Sequence, residues 1–311
     1  MIRIITDSTS SIPSALREKL NISVLSLFVN HNGQEFVERT MDLDAFYADI
    51  HTMIDNIPTS SQPALSEIEK YFEETASAGD QVLGIFLSSK MSGTFESVVR
   101  AARGAADRHP SFSFVLIDSL TNCMELGWPV ISAATHALDG KSLAECANHA
   151  CERLRTTRFI FAPESLRFLE RGGRIGKASA LLGNALHISP ILTVKDGVAS
   201  TFAKVRTQKK AMDKMVSILK QDIDACGIKN IAVHYIGSKA PADRWAEDVI
   251  RPGFGADIPV IPASPVIGVH VGPAVGLAYE CENPIPGKFS TAEPEVICAG
   301  VDPSLLKFAT A

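Results

Sequence analysis

The sequence predicts an α/β protein of two α/β domains, the first of which has a mostly parallel sheet. Its 311 residues exceed the roughly 100–200 residues of a typical domain. Short apolar runs alternate with longer amphipathic segments, a pattern typical of strands joined by helices. The pattern stops near Thr156 and begins again. We therefore expect domains at residues 1–156 and 157–282, followed by an extension at 283–311 whose role the sequence does not indicate.

The apolar runs of strand length are bounded by turn residues, which makes each run a predicted strand. They lie at residues 2–6, 23–29, 81–87, 112–117, 159–162, 191–194, 198–205, 230–236, 260–271 and 275–279. Asp196 and Gly197 separate two of these runs and are typical of a hairpin turn. The segment after residue 282 is rich in Pro, Gly and Glu and has no clear period.

The predicted helices are segments in which apolar residues recur three or four positions apart. They lie at residues 43–54, 66–78, 94–107, 126–138, 143–154, 164–169, 178–186, 209–223 and 244–250.

Charge and composition argue against several classes of protein. The net charge of −5 is unsuited to nucleic acid, because phosphates need a basic surface. No apolar run approaches the roughly 20 residues that cross a bilayer, and no signal-peptide pattern is present. We therefore expect a cytoplasmic protein without stable membrane insertion. The six cysteines form no CxxC pair and have no histidine at zinc spacing, so we expect reduced thiols and no metal site.

Three hydroxyl-rich turns are candidates for an anion site. They lie at residues 6–11, 58–63 and 87–94. Loops at the carboxyl ends of parallel strands share one edge of the sheet, and helix N-termini at that edge favour anions. Helix capping explains any one of these turns better than ligand contact does. Each turn nevertheless carries more hydroxyls than a cap needs, and Gly93 would allow close approach to the backbone.

The kind of anion is narrowed by motifs that the sequence lacks. It contains neither a GxxxxGK[ST] phosphate loop nor a GxGxxG turn after the first strand, so a nucleotide is not indicated. A neutral site lined by hydroxyls suits a single carboxylate better than a multiply charged phosphate.

A series of motifs in this order resembles the DegV family from residue 1 to about residue 280. The motifs are Thr6-Asp7-Ser8-Thr9, Pro58-Thr59-Ser60-Ser61-Gln62-Pro63, Ser88-Ser89-Lys90-Met91-Ser92-Gly93-Thr94-Phe95, Asp118-Ser119, Leu169-Glu170-Arg171-Gly172-Gly173-Arg174-Ile175, Pro190-Ile191-Leu192, Lys204-Val205-Arg206-Thr207 and Gly268-Val269-His270-Val271-Gly272-Pro273. The resemblance implies a non-catalytic protein that binds a long-chain fatty acid such as palmitate, stearate or oleate in a buried apolar cavity. It further implies the fatty-acid-binding subunit of a bacterial fatty acid kinase, which presents the carboxylate to a separate ATP-dependent kinase subunit. No cofactor is implied.

The same resemblance assigns roles to individual residues. The carboxylate contacts fall on Ser60 and Ser92, and the adjoining motif residues Thr59, Ser61 and Gly93 belong to the same site. His270 is expected nearby, although an apolar strand region rich in glycine would more often hold a structural histidine. Arg206 is the expected docking residue for the kinase subunit, because a guanidinium makes geometrically specific ion pairs.

Two alternatives remain open at this stage. The first is a serine hydrolase acting on an acyl ester, with Ser92 as nucleophile, His270 as base and Asp7 or Asp118 as the group that orients the base. Sequence order cannot exclude such a triad, although Ser92 lacks the GxSxG context. The second is a scaffold that docks a protein partner and would have no enclosed apolar cavity.

Overall fold

The computed structural model describes residues 1–184 and 188–308, and its strands form two large sheets and one small sheet. The strands are β1 Ile2–Asp7, β2 Ile22–Leu25, β3 Phe28–His31, β4 Gln34–Val37, β5 Thr59–Ser61, β6 Gln81–Phe86, β7 Phe114–Asp118, β8 Thr157–Pro163, β9 Ser189–Lys195, β10 Val198–Val205, β11 Asn230–Ile236, β12 Val260–Pro262, β13 Ala274–Glu280 and β14 Val296–Ala299. The α-helices are α1 Ser14–Lys19, α2 Leu43–Ala48, α3 Leu65–Ser77, α4 Thr94–Arg108, α5 Cys123–Leu138, α6 Leu143–Leu154, α7 Arg167–Arg171, α8 Gln208–Cys226, α9 Lys239–Trp245, α10 Arg251–Phe254 and α11 Pro265–Val271.

The first sheet has the order β14-β7-β6-β1-β2, and the last four of these strands are parallel, as predicted. Both faces of this sheet are covered by helices. Leu116 packs into the core beside α3 and α4, whereas its neighbours Val115 and Ile117 face the core that contains α5 and α6. Because side chains alternate along a strand, a strand buried on both faces is apolar throughout, as the sequence of β7 is.

The second sheet has the order β10-β9-β8-β13-β11-β12 and is antiparallel except for its last pair of strands. Helix α5 contacts strands of both large sheets. Its residues Met124, Leu126 and Val130 are fully buried, which fits a helix that lies between two layers. One apolar core therefore continues from the first sheet to the second.

The predicted strand at residues 23–29 is two strands in different sheets. β2 belongs to the first large sheet, and β3 pairs with β4 and β5 in the small antiparallel sheet. Leu27 lies between β2 and β3, and its carbonyl accepts a hydrogen bond from the Glu38 N–H. The small sheet positions the second hydroxyl-rich turn, because β5 is itself part of that turn.

The predicted strand at residues 260–271 was wrong after Pro262, because β12 is followed by helix α11. The hydroxyl of Ser264 caps this helix by accepting from the Ile267 N–H at 3.3 Å, and Pro265 occupies its first turn. A short apolar run rich in valine and isoleucine does not distinguish a buried helix from a strand by its period. His270 therefore lies in the last turn of a helix.

Four predicted helices differ from the structure. The helix predicted at 43–54 ends at Ala48 and is followed by a 3-10 turn at Thr52–Asp55. The helix predicted at 164–169 lies at Arg167–Arg171. The prediction at 178–186 falls on a 3-10 segment, Gly176–Asn184, and its end lies outside the described residues. The prediction at 244–250 joins the end of α9 to a π-helical turn, Ala246–Ile250.

The segment after residue 282 is more regular than its sequence indicates. β14 adds to the first sheet antiparallel to β7, with Val296 opposite Ile117. The last part of the chain thus leaves the second sheet and returns to the first. Within residues 1–184 and 188–308, no helix is both long enough and apolar enough to span a bilayer.

Candidate functional site

A cavity at the junction of the two large sheets contains most of the predicted site residues. It has an empty volume of about 850 Å³ including its open mouth. Strand β5, the loop before α4, the β9–β10 hairpin and helix α11 all contribute to its wall. The apolar part of the wall includes Leu87, Phe159, Phe161, Leu169, Val194 and Val266. The polar part consists of Ser60, Ser61, Gln62, Ser92, Asn122, Arg174 and His270.

Ser60 and His270 meet across the cavity wall. Ser60 lies in β5, whose pairing with β3 places it opposite Val29. His270 is contributed by α11, and its Nε2 atom lies 2.8 Å from the Ser60 Oγ atom. This hydrogen bond joins the small sheet to the second half of the chain at the cavity.

The imidazole of His270 is held neutral. Burial, with the nearby positive charge of Arg174, lowers its pKa to about 4. The Nδ1 atom is buried and has no hydrogen-bond partner among the described residues. Gly172 packs against this atom, since a Cβ at position 172 would lie 2.5 Å from it.

The burial of Nδ1 without a partner indicates which ring nitrogen of His270 carries the proton. A buried N–H without an acceptor is rarer in proteins than an unpaired acceptor. The proton therefore belongs on Nε2, which donates to the Ser60 oxygen. The hydroxyl hydrogen of Ser60 is then free to donate to another acceptor, and an anion in the cavity would supply one.

Ser92 lies in the loop between β6 and α4, two residues before the helix begins. Its Oγ atom lies 2.9 Å from the Thr94 Oγ1 atom and accepts from the Thr94 N–H at 3.3 Å. The 15-residue helix that follows directs the positive end of its dipole toward this turn. Gly93 is exposed, and a Cβ at this position would lie 3.2 Å from the Gln62 Oε1 atom.

The predicted site residues do not all lie at the cavity. Ser60, Ser61, Ser92, Gly93 and His270 line it. Thr59 does not line it, and its side chain is exposed.

Arg206 is exposed and follows the end of β10. At the rise of an extended strand it is roughly 20 Å along the chain from Ala199, which lines the cavity. Arg206 therefore lies at the far end of the hairpin from the site.

The first hydroxyl-rich turn does not line this cavity, so the expected convergence of three turns was wrong for one of them. Two of its hydroxyls, those of Ser8 and Thr9, donate to acids nearby. Ser8 Oγ donates to the Glu38 carboxylate, and Thr9 Oγ1 donates to Asp7 at 2.6 Å. The parallel strands β1 and β6 bring the first and third turns to one edge of the first sheet, whereas the second turn belongs to the small sheet, and each turn contacts different neighbours.

Arg174, Gln62 and Asn122 line the cavity but were not among the predicted site residues. Arg174 donates from Nε to the Met91 carbonyl at 3.2 Å and from Nη1 to the Gly172 carbonyl at 2.7 Å. These bonds fix a positive charge in the cavity wall. The signal in the sequence was the glycine-rich stretch around Arg174, which breaks the chain between two predicted helices.

The residues of the hydrolase alternative do not form a triad. Ser92 bonds to Thr94, whereas the hydroxyl beside His270 belongs to Ser60. Asp7 accepts from the Leu87 N–H and from Thr9, and Asp118 accepts from Ser89 and Leu120. Neither carboxylate contacts His270, so neither of them orients the imidazole as a base.

The polar groups in the described wall of the cavity are neutral or positively charged. The described residues that line it include an arginine, hydroxyls and a neutral imidazole but no aspartate or glutamate. Across the described parts of the chain, no group of three or more His, Cys, Asp or Glu residues could hold a metal ion. The arrangement defines a pocket for an amphipathic molecule with an acidic head group.

Comparison with known proteins agrees with this fold and places the chain in a family. The DegV family, described as a family of uncharacterised proteins, matches residues 1–282, and the chain belongs to it. A DegV domain-containing protein of Clostridium acetobutylicum is 43% identical over 283 residues, which are 91% of this chain and 98% of that protein.

Two solved structures of the family have the same fold. A DegV family protein from Thermus thermophilus, described by its fatty acid binding, has a TM-score of 0.77 and 29% identity, covering 90% of this chain and 99% of the other. DegV from Bacillus subtilis, described as a fatty acid binding protein, has a TM-score of 0.79 and 29% identity, with the same coverage.

Proposed function

We propose that this protein binds a long-chain fatty acid, with the acyl chain among the apolar side chains of the cavity and the carboxylate at Ser60 and Ser92. The observation that carries the proposal is a cavity in which the hydroxyls of Ser60 and Ser92 adjoin an apolar wall, with no acidic residue among the described residues that line it. The description of the Thermus and Bacillus relatives as fatty-acid-binding proteins supports it.

The head group is recognised by hydrogen bonds to a charged acceptor. Ser60 donates its hydroxyl hydrogen to the carboxylate, while the Nε2 atom of His270 donates to the Ser60 oxygen. Ser92 donates from the turn at the start of α4, and Arg174 adds a positive charge. Hydrogen bonds to charged groups contribute about 1.5–3 kcal/mol each, so these contacts orient the ligand as well as stabilise it.

The acyl chain supplies most of the affinity. Each buried methylene contributes about 0.8 kcal/mol, which over a chain of sixteen or so carbons exceeds the head-group contacts. Phe159 and Phe161 lie on one face of β8 with their rings stacked at 5.0 Å, and they give the cavity a rigid apolar side. Palmitate, stearate and oleate are the ligands that we expect, in a cytoplasmic protein.

The protein's partner is proposed to be a separate ATP-dependent fatty acid kinase subunit, to which it presents the carboxylate without catalysing the reaction. This step rests on the resemblance of the motifs. Arg206 is exposed and lies well away from the cavity along β10, so it would contact the body of the kinase and not the carboxylate.

Native mass spectrometry tests the proposal. Protein purified from cells should carry a mass increment of one long-chain fatty acid, lose it on delipidation and regain it with palmitate or oleate. Protein that is empty after purification and also refuses both acids would contradict the proposal. Turnover of ATP by this protein alone would contradict the separation of binder and kinase.

A further inference from the structure

The segment 283–308 follows the end of the family match and contacts the ligand site indirectly. The Clostridium relative aligns over 98% of its own length but covers only 91% of this chain, and the family match ends at residue 282. The additional segment runs from the second sheet to β14 of the first sheet. Along this path it contacts three features that surround the loop carrying Ser92.

The first contact is with Asp196, in the turn of the β9–β10 hairpin. The Asp196 carboxylate accepts hydrogen bonds from the Ser290 N–H and hydroxyl at 2.9 and 2.8 Å, and from the Thr291 N–H and hydroxyl at 3.1 and 2.8 Å. Burial acts to raise the pKa of this carboxyl, but these four bonds together hold it well below its usual range. The Asp196 carboxylate is therefore bound by Ser290 and Thr291 of the segment 283–308.

The backbone of the hairpin turn bonds in turn to the loop that carries Ser92. The Asp196 carbonyl accepts from the Lys90 ammonium at 2.7 Å, and the Gly197 carbonyl accepts from the Ser88 hydroxyl at 2.8 Å. Gly197 has a φ of +86°, and a Cβ there would lie 2.7 Å from the Ser88 Oγ atom. Glycine thus allows the turn to lie directly on the loop.

The second contact is a buried ion pair. Lys288 bonds to the Glu125 carboxylate, which also accepts from the Thr121 hydroxyl at 2.6 Å. The Thr121 carbonyl in turn accepts from the Ser88 N–H at 3.0 Å.

The third contact is at the start of β14. The Glu295 carbonyl accepts from the Asp118 N–H at 2.9 Å. The Asp118 carboxylate accepts from the Ser89 N–H at 3.1 Å and from the Ser89 hydroxyl at 2.5 Å. The loop is therefore held at Ser88, Ser89 and Lys90 by groups that the segment itself fixes.

We propose that the segment 283–308 stabilises the fatty-acid site from outside the cavity, and that Ser290 and Thr291 are positioning residues which act through Asp196 to hold the Ser92 loop against the cavity. This inference rests on the proposed function, because Ser92 is its ligand contact. Loss of the two hydroxyls loosens the loop, and the carboxylate then loses a pre-oriented donor while the apolar cavity stays intact.

A double-mutant cycle tests the proposal in the full-length chain. The double variant Ser290→Ala/Thr291→Ala removes two side-chain donors to Asp196 and keeps both backbone donors. We expect palmitate binding to weaken about five- to tenfold in the wild-type background. In the Ser92→Ala background the same pair should cause no further loss, because the pathway ends at Ser92. Equal losses in both backgrounds, or no loss in either, would overturn the proposal.

Two controls separate this pathway from a general loss of stability. Ser304→Ala removes an exposed hydroxyl from the same segment and should change nothing. A long-chain fatty alcohol, which has no carboxylate, should bind the double variant and the wild type equally.

Hydrogen exchange of the ligand-free protein distinguishes failure of this inference from failure of the proposed function. The Met91 and Ser92 amides donate to the Ser88 carbonyl at 3.0 and 3.2 Å. They should exchange about five- to tenfold faster in the double variant, with β11 unchanged. Unchanged exchange at these two amides overturns the positioning role. If they exchange faster but the wild type binds no palmitate, it is the proposed function that fails.

Discussion

Two clefts of the molecule are both lined by serine, and the hydroxyls of Ser60 and Ser92 in one differ from that of Ser8 in the other in what they bond to. In the proposed fatty-acid cavity the hydroxyl of Ser60 meets a neutral imidazole, and that of Ser92 meets another hydroxyl. In the second cleft, between the first hydroxyl-rich turn and the proline-rich stretch Pro259–Pro265, Ser8 donates to Glu38. A serine hydroxyl is available to a ligand only where no acid of the protein already accepts from it.

The two clefts also differ in whether an acid lines them. Glu38 is buried in the second cleft, where desolvation raises its pKa to about 7 against hydrogen bonds from Ser264 and Ser8 that lower it. An anionic ligand there would meet an acid that becomes ionised as the pH rises through about 7. The described wall of the first cavity contains no acid. The comparison therefore favours the first cavity for a carboxylate.

The largest expected effect belongs to the second cleft. The free energy of unfolding contributed by Glu38 is fully present below its unfolded pKa of about 4.5 and is lost as pH rises through about 7. Glu38→Gln should abolish this loss. The free energy of unfolding of the variant, relative to that of the wild type, should therefore rise by about 3 kcal/mol between pH 4.5 and pH 8. Urea unfolding of delipidated protein across this range measures the difference. Glu35→Gln, an exposed change in β4, is the control, and parallel pH curves for Glu38→Gln and wild type would contradict the account.

The next effect is on ligand binding. Ser92→Ala should weaken palmitate binding by about 1.5–3 kcal/mol, because a donor to a charged acceptor is lost. Ser8→Ala, the matched change in the second cleft, should leave palmitate binding unchanged. Fluorescent-ligand displacement measures both. Equal losses would show that the two clefts do not differ as described.

The same serine tests the hydrolase alternative. We expect no covalent labelling of Ser92 by a fluorophosphonate probe, since the described side chain that its hydroxyl contacts is that of Thr94, which is not a base. Stoichiometric labelling at Ser92 would identify Ser92 as a nucleophile and would support the hydrolase alternative.

A smaller effect should follow from crowding His270. Gly172→Ala places a methyl group against the Nδ1 atom and should displace the ring from Ser60. We expect palmitate affinity to fall by about 0.5–1.5 kcal/mol, the contribution of a neutral hydrogen bond. Gly253→Ala is the control, because nothing lies within 4 Å of a Cβ at that position. Calorimetric titration that shows the same affinity for Gly172→Ala and wild type would remove His270 from the site.

The smallest effect is expected at the docking residue. Arg206→Ala should leave palmitate binding unchanged, because the side chain lies at the far end of the hairpin from the cavity. It should raise the concentration of this protein needed for half-maximal activity of the kinase subunit. If lipid binding fell instead, Arg206 would belong to the fold or the pocket.

The sequence predicted the parallel first sheet because its strands are apolar on both faces and separated by helices of distinct period. It predicted the neighbourhood of Ser60, Ser92 and His270 through the order of the family motifs. It did not predict that His270 lies on a helix, because the period of a short apolar run is ambiguous. The sequence also could not show which of the two clefts suits a carboxylate. The hydrogen-bond partner of each hydroxyl depends on tertiary contacts, such as that of Ser8 with Glu38.

The crystal structure of the protein loaded with palmitate tests the central claim most directly. The account predicts one carboxylate oxygen within hydrogen-bond distance of the Ser60 hydroxyl and the other near Ser92, with the acyl chain beside Phe159 and Phe161. A carboxylate in the second cleft beside Glu38, or a chain on the surface with the first cavity empty, would contradict it.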